Sequence, residues 1–443
     1  MKKALWSMLF AGSLLLCLSG CFFQSTDELY ALPRSPELYV NLQAEIRRVM
    51  GSAEFNAPLT GNNTRTIQLV DLNNDGIQEA VAFFRDTSQE KPLKIYIFAQ
   101  NSEKNYEEYA HIEGAATDVE SIAYEDLSGN GNKELVVSWQ VSASVHTLVA
   151  YSVDQGQTAE LMRSSYTSYH AMDMNGDGKK EILLMQTDSE SLENNRVEYY
   201  EFQDGAMERV SVAPLSKGGK EITEYQGGLL SDGQSALFVT SAYGESQQII
   251  DVFTLRQGKL RNITLMENSG QSANTLRHFT GVPVQDINGD GITEIPLTRI
   301  IPSYAAVSSE NFWDLRWWQY DSNGNATLQL TTYHNNSDRW YLVLPPAWEG
   351  IITLNRQENT TIGERAVVFS HWDRTSEKPP EAFLIIYRLT GTSRSSGAEG
   401  TGRFLLSEDD DVTYVGELLD SEWDCGLTQA ELKTQFHLVK SND

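Results

Sequence analysis

Cysteine is scarce in this chain of 443 residues, where Cys17, Cys21 and Cys425 are the three that occur. No CxxC pair exists, which excludes a disulfide framework and a cysteine-ligated zinc site. Basic residues are also few, since 34 Lys and Arg stand against 61 Asp and Glu, for a formal net charge of −27. Because phosphate binding needs a basic surface, this balance argues against a nucleic-acid partner.

Sequence signatures of common catalytic sites are missing as well. There is no HExxH zinc motif, GxSxG elbow, phosphate-binding P-loop or dinucleotide fingerprint. The polar run from His371 to Arg374 could serve acid–base chemistry, although such a run is more often a loop packed by its tryptophan. Apolar residues make up 40% of the chain, so it can build a sizeable core.

Residues 1–20 have the pattern of an export signal. Two lysines precede an apolar run over residues 4–18, which is too short to span a bilayer comfortably. The run ends in Leu-Ser-Gly-Cys at 18–21, which resembles a bacterial lipobox. The resemblance implies cleavage before Cys21, its acylation, and a lipid anchor on the extracytoplasmic face of a bacterial cell membrane. The alternative is an ordinary signal peptide with an incidental cysteine.

The remaining chain divides by its periodicity. Residues 21–35 are predicted to be a tether, and 36–62 a helix with a linker, because apolar residues follow Pro36 at helical spacing: Leu38, Leu42, Ile46 and Val49. From residue 63 to 443, short β-rich runs alternate with turn clusters, which predicts an all-β domain. A capping box at 428–431 predicts a short helix near the C-terminus.

A nine-residue motif recurs along the all-β domain. Its four copies are DLNNDGIQE at 71–79, DLSGNGNKE at 126–134, DMNGDGKKE at 173–181 and DINGDGITE at 286–294. Together with a degenerate copy at 228–236, the copies begin 47 to 58 residues apart. A period near 50 with about four strands per unit predicts a β-propeller of about seven four-stranded blades, with six as the other count that the length allows.

The motif places oxygen-bearing side chains at positions 1, 3, 5 and 9 of a tight loop. With the carbonyl of position 7, where Ile77 stands in the first copy, they form a set suited to Ca²⁺. The side chains are Asp71, Asn73, Asp75 and Glu79; Asp126, Ser128, Asn130 and Glu134; Asp173, Asn175, Asp177 and Glu181; and Asp286, Asn288, Asp290 and Glu294. The second loop should bind most weakly and the degenerate copy not at all. The alternative is that these residues only cap turns.

An EF-hand loop begins in the same way but needs a glutamate at position 12 and a helix on each side. Position 12 is apolar in every copy: Ala82, Val137, Leu184 and Leu297. The four motifs, each flanked by β-rich runs, instead resemble the FG-GAP or VCBS-type repeats of integrin-like β-propellers, over about residues 66–335. The resemblance implies that each loop joins the first two strands of a blade and binds calcium structurally.

Tryptophan is concentrated between residues 313 and 372, which hold six of the nine. Strand alternation over 312–320 puts Trp318 and Tyr320 on one face, where they could stack on a sugar or a peptide. The alternative is that this face is core between blades. We therefore expect a monomeric, lipid-anchored binding module for a protein or carbohydrate partner. An extracellular polysaccharide hydrolase or lyase on the same scaffold is the alternative function.

Overall fold

The computed structural model of the protein describes residues 37–188, 191–304, 310–359, 363–391, 394, 402–409 and 411–439. The candidate lipidation residue Cys21 and the predicted tether lie outside these residues. Within them, no helix is both long enough and apolar enough to cross a membrane. The chain forms two compact units, one comprising the described residues up to Ser121 with Val153–Thr158, the other Ile122–Ser152 and the described residues from Ala159 on.

The smaller unit contains helix α1 (Glu37–Met50), close to the bounds that the apolar spacing predicts, and the first antiparallel sheet. The strands of this sheet are β1 (Glu54–Phe55), β2 (Ile67–Val70), β3 (Glu79–Arg85), β4 (Leu93–Gln100) and β5 (Tyr106–Gly114). Leu42 and Ile46 lie one helical turn apart and form a buried cluster with Phe84 and Phe98 of the sheet. The helix therefore covers one face of this sheet.

Three further antiparallel sheets follow, each built on four strands that pair in sequence order, and the last of the three has a fifth short strand. The second sheet consists of β6 (Asp118–Glu125), β7 (Glu134–Ser142), β8 (Val145–Asp154) and β9 (Gln157–Tyr166). The third consists of β10 (Ser168–Met172), β11 (Glu181–Gln186), β12 (Arg196–Gln203) and β13 (Ala206–Pro214). The fourth consists of β14 (Gly219–Leu229), β15 (Ser235–Tyr243), β16 (Gln247–Arg256) and β17 (Lys259–Asn262), with the short β18 (Arg277–His278) also paired to β16.

The last two sheets each have five strands. The fifth is built from β19 (Ile295–Ile301), β20 (Phe312–Tyr320), β21 (Ala326–Asn335), β22 (Trp340–Val343) and the C-terminal β28 (Phe436–Leu438). The sixth is built from β23 (Ile352–Asn359), β24 (Glu364–His371), β25 (Glu381–Thr390), β26 (Arg403–Glu408) and β27 (Val412–Leu418). Helix α2 (Gln429–Gln435) precedes β28 and carries the predicted capping box between Thr428 and Glu431.

Successive sheets in the larger unit pack through shared apolar clusters. Strand β11, for example, sends Ile182 and Leu184 into a cluster with the second sheet, and Leu183 and Met185 into a cluster with the fourth. Similar clusters join the fourth sheet to the fifth and the fifth to the sixth. Because such inner strands are buried on both faces, they read as continuous apolar runs rather than alternating ones.

The structure confirms the all-β prediction, with repeated four-stranded antiparallel units. The described residues contain six sheets.

A buried carboxylate fixes the irregular segment after the fourth sheet. Asp251 is fully buried and accepts hydrogen bonds from Ser216 N (2.9 Å), Ser216 Oγ (2.6 Å), Asn262 Nδ2 (2.8 Å) and Ser272 Oγ (2.5 Å). A charge without these donors would be costly to bury. The network therefore holds the chain around Ser272 against β16.

Candidate metal centre

All four repeated loops lead directly into a strand of an antiparallel sheet. The first three join β2 to β3, β6 to β7 and β10 to β11, and their last residue begins the second strand. The fourth follows Gln285, which forms a bridge with Glu294 just before β19. The first three loops therefore have the strand–loop–strand arrangement expected from the sequence, whereas a single bridge stands in place of the strand before the fourth.

The same two hydrogen bonds close all four loops. The Oε2 atom of the closing glutamate accepts the backbone N–H of position 2, at 2.8, 2.7, 2.7 and 3.0 Å along the chain. The Oδ2 atom of the first aspartate accepts the N–H of the glycine at position 6, at 3.0, 3.0, 2.9 and 2.8 Å. That glycine has φ between 84° and 89° in every copy, a conformation that disfavours other residues.

The closing glutamates are almost completely buried, with exposures of 4%, 3%, 1% and 0%. Burial, followed by the nearby aspartates, raises the pKa of Glu79 and of Glu294. The same causes raise the pKa of Glu181 to about 7. Several acids packed this closely carry an electrostatic cost in the metal-free loop, and a bound cation would remove that cost.

Two loops bring three carboxylates especially close together. In the third loop the carboxylates belong to Asp173, Asp177 and Glu181, and in the fourth to Asp286, Asp290 and Glu294. In each group, one carboxylate oxygen from every residue lies within 4.8 Å of one from each of the other two. Among the described residues, only these two groups meet that spacing.

The first loop shows a different indication of a missing partner. Its Asp71 Oδ1 atom is buried and has no hydrogen-bond partner among the described residues. The fourth position of this loop is Asn74, whereas the other three copies have glycine there. In those copies the N–H of that glycine donates to the first aspartate at 2.6 to 2.7 Å. A buried carboxylate oxygen without a donor is an acceptor that a cation would satisfy.

The second loop is the least acidic, as its sequence predicts. Ser128 Oγ donates to Glu134 Oε1 at 2.8 Å, and Asn130 Oδ1 accepts the N–H of Asn132 at 2.7 Å. The Oε1 atom of Glu134 therefore has a hydrogen-bond donor within the loop itself. The second loop also offers a cation fewer carboxylate oxygens than the other three loops do.

One site residue escaped the sequence analysis because it belongs to the next strand. Gln319 of β20 is buried, and its Nε2 donates to Asp290 Oδ2 at 2.8 Å and to Glu294 Oε1 at 2.7 Å. Its amide could equally present Oε1 after a 180° flip. Continuing the strand register places Glu201 at the matching position beside Glu181, and Glu201 is one of the acids that raise its pKa.

The same position differs in the first two sheets. Register there places Ala99 beside Glu79 and Ser152 beside Glu134. The third and fourth loops thus receive a longer oxygen-bearing side chain from outside the motif. Strand pairing alone reveals this, since the motif and its partner strand are separated in sequence.

The donor set of these loops fits a hard divalent cation. Carboxylate and amide oxygens at positions 1, 3, 5 and 9 are the ligand type that Ca²⁺ takes in proteins. The buried glutamates and the unpartnered oxygen of Asp71 agree with that chemistry.

The aromatic candidates separate in the structure. Tyr320 is 5% exposed and belongs to the cluster between the fourth and fifth sheets, where burial raises its pKa to about 12. A side chain buried to this extent leaves little ring surface for a ligand, which argues against Tyr320 as a stacking platform. Trp318 is partly buried against the same cluster, with the Arg316 guanidinium 5.2 Å from its ring centre.

The side chains of the polar run at 371–374 contact different partners and do not form one cluster. His371 stacks on Trp423 at 4.7 Å between ring centres, and Trp372 contacts Tyr304 edge to face. Asp373 accepts the N–H and hydroxyl of Thr375. The structure thus agrees with a packed loop at this run.

Comparison with known proteins adds little to this site. No protein-family model matches the chain, and no curated protein sequence matches it. Among solved structures, the chain is similar to Sqt1 of Saccharomyces cerevisiae, with 10% sequence identity and a TM-score of 0.32, covering 83% of this chain and 100% of that one. A likeness at that level carries no argument about fold or function.

Replacing Gln319 by leucine should destabilise the metal-free protein by about 1–3 kcal/mol. The substitution removes a hydrogen bond to the exposed Asp290 and another to the buried Glu294, and it leaves the Glu294 oxygen partly unsatisfied. Urea unfolding in the presence of a chelator measures the change. The control is Gln329→Leu on the neighbouring strand, which is exposed and should shift stability by less than about 0.5 kcal/mol. Equal effects of the two substitutions would contradict the role given to Gln319.

Proposed function

We propose that this chain is a calcium-stabilised β-propeller, anchored by lipid at Cys21 to the extracytoplasmic face of a bacterial membrane. In this proposal the propeller is a binding module for a protein or carbohydrate partner. The antiparallel sheets support the propeller, because each of the first five contains a meander of four consecutive strands and those of the larger unit pack face to face. Such units are the building blocks of a propeller.

The observation that carries the calcium proposal is the repetition of one cage in four loops. Each cage combines a buried glutamate with an aspartate whose Oδ2 is fixed by the glycine at position 6. Turn capping alone explains the short-range hydrogen bonds of the aspartates. It does not explain why a glutamate is buried near two further acids, as in the third and fourth loops.

The loops should differ in affinity. The third and fourth loops combine three carboxylates with a neighbouring Glu201 or Gln319, so they should bind calcium most tightly. The second loop has two carboxylates and an internal serine donor, so it should bind most weakly. The affinities should lie in the class of extracellular modules, at about 10⁻⁴ to 10⁻³ M.

Millimolar calcium should raise the melting temperature of residues 22–443 relative to a chelator, and magnesium should not match it. Each site adds about 2.7 kcal/mol of stability at a hundredfold excess of ligand, which about 10 mM calcium provides for a dissociation constant of about 10⁻⁴ M. Differential scanning calorimetry measures the shift. No calcium-specific rise would mean that the loops are only turns.

The matched variants for this measurement are Asp177→Ala and Asp154→Ala. Asp177 is a proposed ligand of the third loop, whereas Asp154 is an exposed residue at the end of β8. The first substitution should reduce the calcium-induced rise, and the second should leave it unchanged.

Replacing Cys21 by serine should release the full-length protein from the membrane fraction of a bacterial host. Serine cannot carry the thioether-linked lipid, and a single terminal anchor is the whole attachment in this proposal. Fractionation with detergent partitioning measures the distribution. Unchanged membrane association of the variant would contradict the lipid anchor.

A panel of immobilised cell-wall and plant polysaccharides tests the binding function. Retention of residues 22–443 without new reducing ends would support a carbohydrate-binding module, and Trp318→Ala should weaken it if that ring contributes. New reducing ends or unsaturated products would instead favour the hydrolase or lyase alternative. Retention unchanged by Trp318→Ala would remove Trp318 from the site.

A further inference from the structure

A cavity of about 740 Å³ lies in the larger unit, at the ends of β19 and β20 remote from the fourth loop. The fourth loop adjoins Ile295 and Gln319, whereas the cavity is lined by Arg299 and Asp314 further along the same strand pair. Ile352 of the sixth sheet and Gln435 of α2 complete part of its wall. Its volume is typical of a small-molecule site.

The walls of this cavity are mainly apolar. They include Ile301, Leu330, Val343, Leu344 and Trp348. Ile300, also in the lining, is half exposed. A ligand with a hydrocarbon or aromatic body would therefore be favoured, because burying it removes apolar surface from water on both sides.

The charged part of the lining begins with a balanced cluster. Arg299 donates to Asp314 Oδ2 from Nε at 3.1 Å and from Nη2 at 2.6 Å, and its Nη1 donates to Glu349. Asp314 is only 4% exposed. The guanidinium of Arg299 therefore forms ion pairs with both carboxylates, so none of these three charges is left unpaired.

Arg374 is the cation in this lining that lacks such compensation. Its Nη2 donates to the carbonyl oxygen of Gly350 at 3.2 Å, and it forms no ion pair with any described residue. The other N–H groups of its exposed guanidinium are free to bind an acceptor. In a chain with a net charge of −27, an uncompensated arginine beside an apolar cavity is a specific feature.

We propose that this cavity binds an apolar monoanion, a carboxylate with an aliphatic or aromatic body, whose head group is recognised by Arg374. The body occupies the apolar walls, and the carboxylate accepts charge-assisted hydrogen bonds from the guanidinium. This site goes beyond the calcium-dependent module proposed above and does not depend on it. The two can therefore fail separately.

Calorimetric titration with octanoate, 1-octanol and octylamine tests the proposal, because these probes share one body and differ in head-group charge. Octanoate should bind about tenfold or more tightly than 1-octanol, the difference expected for a charge-assisted hydrogen bond. Tighter binding of octylamine would overturn the proposal, since Glu349 would then be the recognition group. Equal binding of octanoate and 1-octanol, or no binding of either, would also overturn it.

Two variants assign the binding to this cavity. Arg374→Gln should abolish the preference for octanoate over 1-octanol, whereas Arg261→Gln, at an exposed position of β17, should preserve it. Val343→Trp should fill the cavity and weaken both probes, with its melting curve showing that the protein still folds. An octanoate preference that survives Arg374→Gln would overturn the assignment. Repeating the titration in calcium and in chelator separates this result from the state of the loops.

Discussion

A glutamate that is buried at the start of a strand requires hydrogen-bond donors or a cation for its carboxylate. The repeated loops provide such donors and bring further carboxylates close to the glutamate. In all four loops its Oε2 accepts a hydrogen bond from the backbone N–H of position 2. Opening the loop would break this bond and leave a buried carboxylate oxygen without a donor. The same contact fixes where the second strand begins. The register of β3, β7 and β11 therefore depends on the loop that precedes each of them.

This constraint connects the loops to the packing of the sheets. The strands that follow the first three loops are buried on both faces over most of their length, as β11 is between the second and fourth sheets. A cation that tightens the loop would stabilise the edge of two apolar clusters at once. Calcium would in this way act on the fold, while the opposite strand ends, where the cavity lies, remain available to a ligand.

Local sequence patterns predicted much of this architecture. Contacts that depend on the pairing of strands distant in sequence could not be predicted from them. The four loops, helix α1 and the capping box at Thr428 follow from spacing within a few residues of sequence. Gln319 could not be found that way, because the register that brings it to Glu294 joins residues 25 positions apart across a hairpin. The burial of Tyr320 could not be predicted for a related reason, because alternation gives the face of a strand but not whether another sheet covers that face. The cavity at Arg374 likewise combines segments from two sheets and a helix.

A crystal structure of residues 22–443 grown in calcium chloride would show whether the repeated loops bind a metal ion. We expect an ion in the third and fourth loops, with oxygens of Asp173, Asp177 and Glu181 in the third at the 2.3–2.6 Å typical of Ca²⁺. The second loop should show the lowest occupancy of the four. Loops that contain only water at this calcium concentration, with their hydrogen bonds unchanged, would contradict the claim that the repeated motif is a metal site.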